Sequence, residues 1–229
     1  PPPTAPPPTA PPPTAPPTVP GAPSQAIWRL PTTAKTVAIT ADAGSDYGYT
    51  DEILDILSAK GVAASFGITG EWASAHPGAV RRMAAEGHHV INHTYSHPSL
   101  TGVSASPALT DPTGRAYELA AADLTLAPLI GHTTKPFWRP PYGDIDDSVL
   151  ADVGAAGYPW TVMWTIDSLG WNGLPADQIV TRVLDRVEPG AILMFHVGSA
   201  SQDVAALGTI IDSLRAQGYS FTTVAAALD

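Results

Sequence analysis

The sequence predicts an α/β fold with a parallel sheet, and three observations carry that reading. From Thr36 onward, short β-branched or apolar runs alternate with stretches of helical period. The polar residues that interrupt this pattern fall at the C-terminal ends of the runs. The chain has 229 residues, 44% of them hydrophobic, which is enough for one large core. At this size a closed or nearly closed barrel is favoured over an open sheet, although periodicity alone does not separate the two.

The elements follow in chain order. Residues 1–20 contain only Pro, Thr and Ala with one Val, and repeat Pro-Pro-Pro-Thr-Ala. Such a stretch cannot bury a core and is expected to be an extended, semi-rigid spacer of about 3.1 Å per residue. Residues 1–23 are therefore read as a disordered linker and residues 24–229 as one domain. Strands are expected at residues 36–40, 63–68, 89–92, 136–139, 159–166, 191–196 and 220–224. The first helix is expected to be capped by Thr50, with Asp51 and Glu52 at its positive end, Lys60 in its last turn and Gly61 as terminator. A later helix from Ser201 places Leu207, Ile210, Ile211 and Leu214 on one face and stops at Gly218.

Composition narrows the function. With 11 basic against 21 acidic side chains the formal charge is −10, which argues against nucleic acid, since that partner is held mainly by Lys and Arg. The chain has no cysteine, which rules out a disulfide scaffold, a thiolate metal site and a Cys nucleophile. No apolar run reaches the roughly 18 residues of a membrane span, and no signal peptide stands at the start shown, so the sequence reads as a mature or trimmed chain.

Five polar residues mark strand ends: Asp42, His93, Arg139, Asp167 and His196. In a parallel barrel these ends converge on one face, so residues distant in sequence become neighbours there. His93-Thr-Tyr-Ser-His97 is the sharpest local signal, because imidazoles four apart can face one way over a helical turn and share a divalent ion. The acidic loop from Asp42 to Asp46 would add a carboxylate and leave one coordination position open, as in catalytic zinc sites. His76, His88 and His132 read as surface histidines. Asp146 and Asp147 read as a helix start, and Trp28, Trp138, Trp160 and Trp164 as core or rim. Tyr47, Tyr49 and Tyr95 flank the expected site.

In order along the domain, Thr40-Ala41-Asp42-Ala43-Gly44, His93 to Pro98, Arg139-Pro140-Pro141-Tyr142-Gly143, Asp167-Ser168-Leu169-Gly170-Trp171 and Met194-Phe195-His196 resemble the five motifs of the NodB-type polysaccharide deacetylases, carbohydrate esterase family 4. The resemblance spans about Thr36 to Leu228 and implies a distorted (β/α)7-type barrel. It also implies a metal-dependent hydrolase acting on an acetylated polysaccharide, with N-acetylglucosamine units of peptidoglycan or chitin-type glycans favoured. The alternatives are an acetyl xylan O-deacetylase or a catalytically impaired, glycan-binding member. The cofactor implied is Zn2+, or another divalent transition metal such as Co2+. The Pro/Thr spacer resembles linkers of secreted, wall-associated enzymes, so a secreted or cell-wall location and a monomer without a membrane span are expected.

Carried over residue by residue, the resemblance makes Asp42 the general base and Arg139 its holder. The Tyr142 main-chain N–H becomes an oxyanion donor, His196 the proton donor to the leaving group, and Met194 and Trp171 a pocket for the acetyl methyl. His93 and His97 become metal ligands. Two departures stand out: a motif Asp that usually ligates the metal is Ala43, and the Asp beside the tryptophan, which usually orients the catalytic histidine, is Gly170. Asp46 is the expected replacement ligand and Asp167 the expected orienter of His196. If Asp46 does not serve, the metal would rest on two imidazoles with waters, or Asp42 would be drawn onto it. A glycosidase using Asp42 and Asp167 as paired carboxylates would leave His93 and His97 without a role. The chain has no Gly-x-Ser-x-Gly elbow for a serine esterase.

Overall fold

In a computed structural model, which describes residues 21–228, nine strands and eight α-helices alternate. Of the expected linker, residues 1–20 lie outside the described residues. The strands are β1 (Gln25–Ile27), β2 (Thr36–Ala43), β3 (Ser65–Ile68), β4 (His89–Asn92), β5 (Phe137–Trp138), β6 (Trp160–Val162), β7 (Ile166–Asp167), β8 (Ile192–His196) and β9 (Ser220–Thr222). The helices are α1 (Thr50–Lys60), α2 (Gly70–Ala75), α3 (Pro77–Ala85), α4 (Pro112–Ile130), α5 (Asp147–Ala155), α6 (Ala176–Leu184), α7 (Asp203–Ala216) and α8 (Val224–Leu228).

Every strand pair is parallel, in the order β1-β6-β5-β4-β3-β2-β8-β7, with β9 added to the start of β2. The sheet is a curled, incompletely closed barrel: among the described residues β1 and β7 do not pair, and an antiparallel bridge links Arg29, just after β1, to Ala191, just before β8. Two elements differ from the sequence expectation. The 159–166 run breaks into β6 and β7, and Gln25–Ile27 adds a strand too short to show a period.

Side-chain alternation sorts the core into two compartments. Val37, Ile39, Ala41 and Ala43 of β2 face the helices, in a cluster with Leu54, Leu57, Phe66, Leu193 and Ile210. The opposite parity, Ala38 of β2, Ile91 of β4, Phe137 of β5, Trp160 and Val162 of β6 and Ile192 of β8, fills the inside of the curl. Val224 of α8 joins this inner cluster. On the inner face, apolar side chains therefore form a floor and the next residues of the same parity form a rim: Asp42, Gly67, His93, Arg139, Met194 and His196. Strand register brings these together, since Asp42 pairs with both Gly67 and His196.

Helix ends follow local chemistry. Gly61 takes φ 57° and closes α1 by donating to Leu57 and Ser58 carbonyls, as expected. Thr50 lies within the helix instead of capping it, its hydroxyl bonded to the Tyr47 carbonyl. Asp146 caps α5, accepting from the Val149 N–H at 2.8 Å. His88 is buried, not on the surface, because its Nδ1 accepts the Ala64 N–H at 3.0 Å.

Candidate active site

Arg139 anchors the rim. It is fully buried below the site, where Nη1 donates to Asp42 Oδ1 at 2.8 Å and Nε donates to the Val162 carbonyl at 3.0 Å. Burial alone would raise the Asp42 pKa, but Arg139 first and then His93 and His196 outweigh it, and the carboxyl is held below its usual range. Gly67 leaves the space this carboxylate needs, since a Cβ there would stand 2.3 Å from Asp42 Oδ1.

His93 and His97 meet edge to face, ring centroids 4.8 Å apart at 77°. No helical turn does this. The segment after β4 is a tight loop in which Thr94 and His97 both take positive φ, 65° and 61°, a costly conformation that its neighbours must hold. Asn92 Oδ1 accepts the Thr94 N–H, Thr94 Oγ1 accepts the His97 N–H, and Glu118 of α4 accepts the Tyr95 and Ser96 N–H groups, both at 2.8 Å. Glu118, 21 residues beyond His97 in a helix, carries no motif signal and could not be found by spacing.

His93 Nδ1 donates to the Arg139 carbonyl at 2.9 Å, which leaves the neutral ring's Nε2 as an acceptor. That lone pair faces Asp42 Oδ2 at 3.4 Å, so two acceptors confront each other beside the His97 ring. Burial pushes both histidines down, His97 to about 3, which disfavours a proton between them. A divalent cation would satisfy this arrangement, and His93 and His97 are the residues that would hold it. Among the described residues, no cluster of three or more His, Cys, Asp or Glu is arranged to hold a metal ion. Ala43, on the opposite parity, is sealed in the helix-side cluster.

Two sequence expectations are corrected here. Asp46 is not brought to the histidines: its carboxylate is exposed and accepts both the Ser199 N–H, at 2.8 Å, and the Ser199 hydroxyl. The loop after β8 supplies both donors, so the carboxylate folds towards that loop and away from the cavity. Asp167 does not orient His196: it accepts from the Leu169 N–H at 2.8 Å and from Trp171 Nε1 at 3.2 Å. It therefore holds the tryptophan.

His196 is fastened by a residue the motifs do not contain. Its main-chain N–H donates to Asp203 Oδ2 at 2.8 Å, and Asp203, the first residue of α7, is only 1% exposed. An acidic residue opening a helix reads in sequence as a partner for the helix dipole, so nothing singled it out.

A cavity of about 680 Å3 opens on this rim, lined by Asp42, His93, His97, Tyr142, Met194 and His196 among others. Tyr142, at φ 61°, packs its ring on His97 with centroids 4.7 Å apart, and with Trp171 it forms exposed walls, about half of each side chain reaching solvent. Met194 lies beneath, its sulfur 3.0 Å from Arg139 Nη1. Trp138 and Trp160 are core, whereas Trp164 lines the cavity and Trp28 is exposed. Tyr47 stacks on Trp72, and Tyr95 covers Gly70.

An ionised aspartate facing imidazoles, with the second aspartate tied to an indole, does not present the facing carboxylate pair of a glycosidase. The chain belongs to the polysaccharide deacetylase family, whose model matches residues 29–160. It is similar to a peptidoglycan-N-acetylglucosamine deacetylase of Bacillus cereus, 35% identical over 197 residues, covering 85% of this chain and 68% of that one. Among solved structures it resembles the Bc1960 peptidoglycan N-acetylglucosamine deacetylase, with TM-score 0.80 and 33% identity over 88% of this chain and 92% of the other. It resembles to the same TM-score of 0.80 a pseudoenzyme of the family from Bacillus anthracis, at 25% identity over 90% of this chain and 69% of that one. Deacetylases of this family generally depend on a divalent metal.

Proposed function

We propose that this protein hydrolyses acetyl groups from an acetylated glycan, the N-acetylglucosamine units of peptidoglycan or chitin-type chains, with zinc or cobalt held by His93 and His97. The observation that carries the reading is the buried Asp42–Arg139 pair facing His93 Nε2 at 3.4 Å. When bound, the cation supplies Lewis-acid polarisation of the acetyl carbonyl and the attacking water. The chain's residues do the rest. Asp42 Oδ2 takes the water proton, and Arg139 keeps that carboxylate ionised and aimed. The Tyr142 main-chain N–H donates to the oxygen that becomes negative, a contribution of about 3 kcal/mol in comparable hydrolases. His196 returns a proton to the departing amine, while Met194 and Trp171 wall the methyl group.

No described helix is long and apolar enough to cross a membrane, and the family relatives named for peptidoglycan support a place outside the cell or in its wall. Acetate release should be measured on N-acetyl chitooligosaccharides, peptidoglycan and acetylated xylan with zinc-loaded protein. Release from one of the first two supports the reading, release from xylan alone makes it an O-deacetylase, and no release from any of the three overturns it. The last outcome joined to glycan binding would favour a binding member of the fold, the reading to which Ala43 and the pseudoenzyme relative lend weight.

The space at position 67 gives a sharp check on the base. Gly67→Ala should push the Asp42 carboxylate off Arg139 and cut turnover about a hundredfold, the usual cost of a misplacement near 1 Å. Comparison of kcat with zinc content reads this directly, because the metal should stay.

A further inference from the structure

Of the buried side-chain atoms that lack a hydrogen-bond partner among the described residues, two belong to one constellation: His196 Nδ1 and Asp203 Oδ1. A buried imidazole nitrogen and a buried carboxylate oxygen are each what the other needs, and leaving both unpaired costs free energy. Asp203 already grips the His196 main chain through its other oxygen. Its carboxylate lies where residue 170 has no side chain: a Cβ on Gly170 would stand 2.3 Å from Asp203 Oδ1 and 2.7 Å from its Cγ. The glycine and the aspartate thus form a matched pair, with α7 delivering a carboxylate into space that the loop after β7 leaves open.

We infer that Asp203 is the positioning residue of His196, its carboxylate holding the Nδ1 proton so that Nε2 is presented to the cavity. This rests on the deacetylase reading for its consequence, but the His196 tautomer can be read without turnover. Burial raises the Asp203 pKa, while the hydroxyls of Ser168 and Ser201 and the His196 N–H act against that rise. The other titratable groups facing His196 are Asp42 from β2 and the His93 and His97 rings after β4. Of these, Asp203 is the one that also holds the His196 main chain.

The test is imidazole nitrogen NMR on the full chain, with the His196 signal assigned by its loss in His196→Gln. The wild type should carry its proton on Nδ1, and Asp203→Asn should move it towards Nε2. In the deacetylation assay, Asp203→Asn should lower kcat about ten- to a hundredfold with KM within about threefold, the usual cost of losing a hydrogen-bond partner behind a functional histidine. Gly170→Asp combined with Asp203→Ala, which returns a carboxylate from the other side, should restore the Nδ1 tautomer and at least a tenfold share of kcat. An unchanged tautomer in Asp203→Asn overturns the inference, as does a fall in thermal stability alone. If Asp203→Asn does not fold, the double variant decides: an Nδ1 proton supports the assignment and an Nε2 proton refutes it. Absence of deacetylation on every glycan would leave the tautomer result standing.

Discussion

Asp42→Asn is expected to lower acetate release at least about a thousandfold while bound zinc remains near the wild-type level. The amide keeps the shape of the carboxylate and can still accept from Arg139, but it cannot take a proton from water. It also leaves the Arg139 guanidinium, buried with no exposed surface, facing a neutral group. Removing one member of a buried ion pair costs about 3 to 5 kcal/mol in general, so the melting temperature should drop as well. Far-UV circular dichroism at the assay temperature separates the two effects. Residual activity above one tenth of wild type in a folded, metal-loaded variant would show that the base lies elsewhere.

His97→Ala should remove the metal and the activity together, and a metal titration by calorimetry or a chromogenic chelator reads the first without the second. With two imidazoles as the protein donors, loss of one leaves no chelate. Asp46→Ala is the control: its carboxylate is bonded to Ser199, so zinc content should not change. The pH dependence has a definite sign. Burial, helped by the neighbouring His93, holds His97 down at about 3, so its nitrogen stays free of protons well below the ordinary histidine value of about 6.5. Zinc should therefore remain bound to about pH 5, where exposed histidines would release it. In metal-free protein the same shift acts against the fold. The unfolded chain binds protons below about 6.5 that the folded chain refuses until about 3, so stability falls as pH drops through that window.

Both experiments use residues that were legible early, and the reason is physical. A parallel strand inside a curled sheet must be apolar through its buried length, so a charged or imidazole side chain at its end is conspicuous. Asp42, His93, Arg139 and His196 stood out on that ground, and alternation correctly put Met194 on the His196 face. The helix pattern of α7 and the Gly61 stop of α1 were equally local, fixed by period and by left-handed backbone. The turn from His93 to His97 is not legible in the sequence, because spacing of four suits a helix, whereas a loop with two positive φ angles makes the rings meet instead.

What the linear order of residues decided, then, is which side chains reach the rim: strand parity is a property of consecutive residues and needs no partner. Which of them touch is another matter. Asp46 went to Ser199, Asp167 to Trp171, and His196 to Asp203, each pairing formed across loops whose paths depend on the packing of neighbouring elements. A carboxylate takes the nearest unsatisfied donors, and those are known only after the chain has folded around it.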